Sequence, residues 1–224
     1  MMRAWGNRND TVVIDEPFYA YYLKVTGIEH PGADEVILTG ETDWRKVVAH
    51  LTGQIPNGKT IFFQKHMTHH LLPEIEREWV AAVTNCFLIR DPREVIHSYI
   101  KKREDPALED FGFVQQAEIF DFVQTCTNAV PPVVDARDVL ENPERTLRLL
   151  CEAVGVEFRK SMLCWPSGLR DTDGVWAKHW YGEVAKTTSF QPHHPMQYEM
   201  PQRFREIHER CRECYERLFP YRLH

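Results

Sequence analysis

The sequence predicts an α/β fold built on a parallel sheet covered by helices on both faces. Two observations carry that prediction. Short apolar runs rich in β-branched residues alternate with longer stretches of helical spacing. Strands separated by helices pair in parallel, because each crossover returns the chain to the same end of the sheet. The 224 residues contain no repeat, linker or low-complexity tract, so residues 1–224 are expected to form a single domain with a sizeable core.

The elements follow in chain order. Residues 11–15 form a β-branched run that stops at Glu16-Pro17, and residues 18–26 read as a helix ending at Gly27. Residues 34–42 read as loop or short helix, and 43–51 as a helix closing at Gly53. A strand is expected over 60–64, a helix over 74–80 and a strand over 85–89. Residues 92–102 and 114–126 have helical spacing, 132–134 is a short strand, and 143–154 is a helix ended by Gly155. After a loop rich in Trp, Gly and Pro, a last helix is expected from about residue 202 to 218.

Composition excludes several classes. Hydrophobic residues make up 43% and charged residues 27% of the chain, which argues against disorder and against a membrane protein. No run approaches the roughly 20 apolar residues that span a bilayer, and the first eight residues lack the apolar core of a signal peptide. A formal charge of −6 argues against a general nucleic-acid binder. Six scattered cysteines are read as reduced thiols, which implies a cytoplasmic protein.

Two motifs tempt and fail. Residues 53–60, Gly-Gln-Ile-Pro-Asn-Gly-Lys-Thr, match the Walker A pattern letter for letter. That pattern holds a phosphate only when a strand precedes it and a helix follows. Here the order is reversed, so Pro56-Asn57-Gly58 reads as a turn. A nucleotide-dependent kinase using Gly58, Lys59 and Thr60 is the alternative this motif would support. Cys211-x-x-Cys214 lies in a charged helical stretch without a matching pair elsewhere and reads as helix packing.

The most informative stretch is 84–103, Thr-Asn-Cys-Phe-Leu-Ile-Arg-Asp-Pro-Arg-Glu-Val-Ile-His-Ser-Tyr-Ile-Lys-Lys-Arg. Its apolar run delivers Arg90 to the carboxyl end of a strand. A helix starts at once, with Asp91 as N-cap, Pro92 at N1 and Glu94 at N3 in a capping box. A guanidinium at the strand end and the Ser98 hydroxyl suit a tetrahedral oxyanion. The same residues also allow a plain strand-to-helix turn in which Arg90 pairs with a carboxylate.

Residues 88–99 resemble the 3′-phosphate-binding motif of sulfotransferases that use 3′-phosphoadenosine 5′-phosphosulfate (PAPS). Residues 132–143, Pro-Val-Val-Asp-Ala-Arg-Asp-Val-Leu-Glu-Asn-Pro, resemble that family's later strand and acidic turn, and 146–156 its next helix. Asp173-Gly174-Val175-Trp176-Ala177-Lys178-His179 resembles the segment that closes over the nucleotide. The resemblance implies a P-loop-NTPase-like sulfotransferase fold and transfer of a sulfuryl group from PAPS, without a metal, to a hydroxyl or amine of a small molecule. Arg90 and Ser98 would grip the 3′-phosphate, with Arg170 and Lys178 as helpers.

The resemblance also orders the catalytic candidates. Lys65 stands where the family's strand-end lysine steadies the leaving phosphate. Met67 replaces the histidine of the family's Lys-x-His, so His66, His69 and His70 are candidates of equal standing, each against a reading as a hydrogen-bonded loop histidine. Glu16, in Glu16-Pro17, resembles the acceptor-facing glutamate of carbohydrate-type members, and could act as a general base if burial raised its pKa. Tyr19, Tyr21, Tyr22, Trp176 and Trp180 could line an acceptor pocket, although core packing is the commoner fate of such rings. Residues 1–5 resemble the family's first helix part-way along. The opening strand and the loop for the 5′-phosphosulfate have no counterpart here. Either they are encoded upstream, or this member has lost donor binding and kept the scaffold; in both cases the resemblance leaves catalysis by the chain as written in question.

Overall fold

The computed structural model describes residues 1–101, 103–194 and 199–224. The fold is α/β with parallel strands, as predicted. Its strands form two pairs: β1 (Thr11–Asp15) with β2 (Ile61–Lys65), and β3 (Phe87–Ile89) with β4 (Val133–Asp135). Among the described residues no strand is bonded to both pairs. The chain divides into two compact units, Met1–Trp79 with Arg159–Gln191, and Val80–Phe158 with Pro192–His224.

In the first unit, β1 turns Thr11, Val13 and Asp15 inward, the period of two that a half-buried strand requires. The register sets Asp15 opposite Lys65. Trp5, on the short helix Met2–Gly6, stacks on Phe63 of β2 with ring centroids 5.0 Å apart. The helix Tyr19–Thr26 ends at Gly27, whose φ of 64° suits a residue without a Cβ. Tyr19, Tyr22 and Leu23 of that helix bury against Val36 of the helix Ala33–Thr39, with Val175 and Trp176 beside them. Asp43 caps the helix Trp44–Leu51 by accepting from the Arg45 amide.

The Walker-like residues form a turn, Pro56–Gly58, with Asn57 and Gly58 at positive φ. Strand β2 follows it, and Lys59 donates to the Asn9 carbonyl. No helix N-terminus stands where a phosphate would need one, which removes the kinase alternative. The helix expected over 74–80 is also corrected: a 3₁₀ turn forms later, over Glu78–Ala82. The Arg77 guanidinium takes the carbonyls of Leu71, Leu72 and Ile75, and Leu72 accepts the Ile75 amide as well, so a side-chain donor satisfies carbonyls that no regular helix pairs here.

In the second unit, Asp91 caps the helix Pro92–Ile100 by accepting from the Arg93 amide at 2.8 Å. The capping box is only half made, because Glu94 binds Arg90 and His193 instead. Ile96 packs with Phe111, Phe113, Phe204 and Cys211. Phe113–Thr127, Pro143–Ala153 and Arg205–Leu218 are the longer helices, and a short one, Ala136–Glu141, was not foreseen. Cys211 is fully buried in Arg205–Leu218, and burial pushes its thiol up to about 12. The Cys-x-x-Cys pair is helix packing.

Candidate functional site

The parallel register of β1 and β2 ends with Asp15 beside Lys65, at the carboxyl edge where α/β folds place ligands. The chain then leaves the sheet through Glu16, whose φ is 46°. A glutamate ahead of a proline ordinarily adopts extended backbone, so this turn is strained. Such strain gathers at working sites. Its geometry is held at both ends: the Glu16 amide donates to the Lys65 carbonyl, and the Glu16 carbonyl accepts from the Tyr19 amide, each at 2.9 Å.

Four side chains meet there. The Lys65 ammonium forms an ion pair with Glu16 and lies 3.1 Å from Asp15 Oδ1 and 3.1 Å from the Tyr181 hydroxyl. Tyr181 donates in turn to Asp15 Oδ2 at 2.5 Å. Asp15 is sealed from solvent and Glu16 nearly so, while Lys65 keeps a partial opening. Burial raises the Glu16 carboxyl above the usual carboxylate range, and the neighbouring Asp15 charge adds to the shift against the pull of Lys65. Burial works against the Lys65 charge, but Glu16 and Asp15 outweigh it and hold the ammonium protonated beyond its ordinary range. Burial also raises Tyr181, which stays a phenol and a donor. The result is one firmly held cation shared by two carboxylates, one of which gains proton affinity.

Burial disfavours the charged form of all three candidate histidines. His69 and His70 lie on the turn Thr68–His70, where the His70 ring stacks on Tyr19 at 4.7 Å and Tyr22 meets both. Burial lowers His69 to about 4 and holds His70 well below its usual value. His66 packs against Phe18 and Trp79, and burial lowers it too, to about 4. An imidazole with so low a proton affinity is a weak base at neutral pH.

Arg170 and Lys178 belong to the same unit. The Arg170 amide donates to Asp173, whose carboxylate forms a two-pronged buried ion pair with Arg3 at 2.8 and 2.7 Å. Burial, and then the charge of Arg3, lower the Arg170 guanidinium. Lys178 is exposed and paired with Glu35. Between them Gly174 lies directly beneath the Trp176 ring; a Cβ there would come within 2.0 Å of it.

Arg90 and Ser98 belong to the second unit. Arg90 donates from Nε to Glu94 at 2.8 Å, and His193 holds the other Glu94 oxygen at 2.9 Å. Burial would raise Glu94, but the bonds from His193 and Arg90 outweigh it and lower its pKa. Ser98 follows Glu94 by four helical positions, so the two share a face. Both Arg90 and Ser98 are exposed.

Sequence reasoning singled out Glu16 and Lys65 separately, and the structure joins them. It missed Tyr181 and Asp15. Asp15 carried a usable signal, as the last residue of a strand that emerges at a sheet edge. Tyr181 carried none, since its contact with Asp15 spans 166 positions. Among the described residues no group of three or more His, Cys, Asp or Glu is placed to hold a metal ion. No described helix is long and apolar enough to cross a membrane.

A parallel α/β scaffold with a charged cluster at a strand edge describes a broad class of enzymes. The narrower assignment comes from comparison: a model of the sulfotransferase domain family matches residues 1–204, and the chain belongs to that family. It is 33% identical over 223 residues to the branched-chain-amino-acid aminotransferase-like protein 2 of Arabidopsis thaliana, covering 97% of this chain and 38% of that protein. To the like-named protein 1 it is 34% identical over 191 residues, 85% of this chain and 34% of that one. The chain thus spans little more than a third of these curated relatives. Among solved structures it is similar to the sulfotransferase domain of the curacin biosynthetic pathway, with 14% identity, a TM-score of 0.40, and coverage of 86% and 77% of the two chains. It is similar also to the sulfotransferase domain of the Synechococcus PCC 7002 olefin synthase, with 15% identity, a TM-score of 0.47, and coverage of 89% and 93%.

Proposed function

We propose that this sulfotransferase-family chain moves a sulfuryl group from PAPS to a hydroxyl or amine of a small molecule in the cytoplasm. The observation that carries the reading is the Asp15–Glu16–Lys65–Tyr181 cluster at the β1–β2 edge. Sulfuryl transfer, like phosphoryl transfer, is governed by positioning and charge. The acceptor needs a base, and the leaving oxygen needs a cation.

Glu16 is the base in this proposal, because its proton affinity is raised and the buried histidines offer little. When Glu16 takes the acceptor proton, its carboxyl becomes neutral and its hold on Lys65 weakens. The ammonium is then free to face the negative charge that develops on the leaving oxygen. Asp15 and Tyr181 keep Lys65 in place throughout. The donor supplies the sulfuryl group and the leaving phosphate. Arg90 and Ser98 would hold its 3′-phosphate, a fit supported by an exposed guanidinium tethered through Nε and a serine on the face of Glu94. Arg170 is a further candidate for the donor, and Lys178 would first have to leave Glu35.

The test is incubation with PAPS and a panel of phenols, alcohols and amines, read by mass spectrometry for the gain of one sulfuryl group. The expected outcome is sulfation that is lost in Glu16→Gln. Full turnover by Glu16→Gln would remove the base assignment. Binding of 3′-phosphoadenosine 5′-phosphate without any turnover would replace the enzyme with a nucleotide-binding scaffold.

A further inference from the structure

The first unit contains a cavity of about 660 Å³ with Asp15 and Glu16 in its lining. That volume is in the range of small-molecule sites. Its apolar surface comes from Val36, Val47 and Trp176, and its charge is mostly negative. Glu41, Asp171 and Asp173 join Asp15 and Glu16, and Lys46 is the one lysine or arginine in the lining. Arg3 pairs with Asp173, which also feels the Arg170 charge, and Lys65 is shared by Asp15 and Glu16, which leaves Glu41 and Asp171 as the lining carboxylates without a buried ion pair among the described residues. Arg170 is not part of the lining.

One detail of the lining points to a cationic ligand rather than to a merely acidic surface. The Glu41–Lys46 pair is stretched to 3.9 Å with both side chains exposed, so Lys46 cancels little of the negative field.

We infer that this cavity takes an amphiphilic amino alcohol as the acceptor. Its ammonium would sit with Asp171 and Glu41, its apolar body against Val36, Val47 and Trp176, and its hydroxyl at Glu16. The inference rests on the sulfotransfer reading for the role of Glu16. In the step itself the hydroxyl oxygen forms a bond to sulfur, and the bond from sulfur to the donor's phosphate oxygen breaks. The electron pair leaves with 3′-phosphoadenosine 5′-phosphate and the hydroxyl proton goes to Glu16. A carboxylate-bearing acceptor would meet repulsion, and an uncharged one would gain only the apolar contacts.

The experiment is calorimetric titration, without donor, of three compounds that share a phenyl ring and a benzylic hydroxyl. They are phenylethanolamine, its uncharged counterpart with methyl in place of aminomethyl, and mandelate. Phenylethanolamine is expected to bind about tenfold tighter than the uncharged compound, with mandelate weakest and the preference fading as salt is added. The double variant Glu41→Gln, Asp171→Asn, checked for an intact melting transition, should lose most of the preference. Equal affinities, mandelate binding tightest, or a preference untouched by the double variant would overturn the inference. The same compounds incubated with PAPS separate the two claims. Ordered binding without sulfated product keeps the cavity's preference and defeats the sulfotransfer reading; faster sulfation of the uncharged compound does the reverse.

Discussion

Each unit ends a parallel strand pair on a buried aspartate that accepts a tyrosine hydroxyl, and the two aspartates then part ways. In the second unit Asp135 takes the Tyr215 hydroxyl at 2.6 Å and the Arg137 amide at 2.7 Å, and so caps the helix Ala136–Glu141. Burial raises its carboxyl, and every bond it makes is structural. In the first unit Asp15 takes the Tyr181 hydroxyl but caps nothing. Its second oxygen faces Lys65, and Glu16 crowds the same ammonium. The same aspartate–tyrosine bond thus finishes a helix in one place and holds a reactive trio in the other. A buried carboxylate at a strand end becomes informative when its remaining oxygen is spent on a charge and not on the backbone.

Four experiments would break or sharpen this contrast. The largest effect is expected from Lys65→Met, which leaves two carboxylates at the β1–β2 edge without their cation. Urea denaturation should show a loss of about 3 kcal/mol, and a loss below 1 kcal/mol would mean that the cluster is not mutually dependent.

Acid should act next, and on the first unit. The folded His69 imidazole titrates at about 4 against an ordinary 6.5, again because it is buried. Between those values the unfolded chain binds more protons, so stability is present above pH 6.5 and is lost as pH falls towards about 4. The loss is on the order of 3 kcal/mol for this residue. Hydrogen exchange at stepwise lower pH should report earlier opening around 68–70 than around 133–135, and His69→Gln should flatten the trend. Earlier opening of the second unit would contradict it.

Removing the two phenol hydroxyls compares the aspartates directly. Tyr181→Phe and Tyr215→Phe should each cost about 1–3 kcal/mol, the expense of stranding a buried acceptor. Only Tyr181→Phe should also shift the pH profile of turnover, because only its partner touches Lys65. Equal effects on that profile would erase the distinction.

The smallest effect on stability belongs to Arg90→Ala, within about 0.5 kcal/mol, since its pair with Glu94 is half-exposed. Affinity for 3′-phosphoadenosine 5′-phosphate should fall about tenfold or more in the same variant, the value of a charged hydrogen bond. Unchanged affinity by calorimetry would free Arg90 from any donor role.

Local signals were legible and pairings were not. The stop at Glu16-Pro17, the cap at Asp91-Pro92 and the glycine ends at Gly27 and Gly155 are written in neighbouring residues, and the structure keeps them. Glu16 and Lys65 were visible as candidates because each follows a β-branched or aromatic run. Their meeting depends on the register of two strands about fifty positions apart, and spacing within one strand says nothing about register with another. Arg77 shows a second limit: a long guanidinium that captures three carbonyls overrides helical spacing, and no periodicity announces it.

Gly174 carries a consequence for reading variation. The indole of Trp176 occupies the space where any other residue would carry its first side-chain carbon. Any replacement at position 174 therefore requires the Trp176 ring to move, and both residues line the cavity. Sensitivity to substitution there would register crowding alone, and treating it as a sign of chemistry would draw attention away from the groups at the β1–β2 edge.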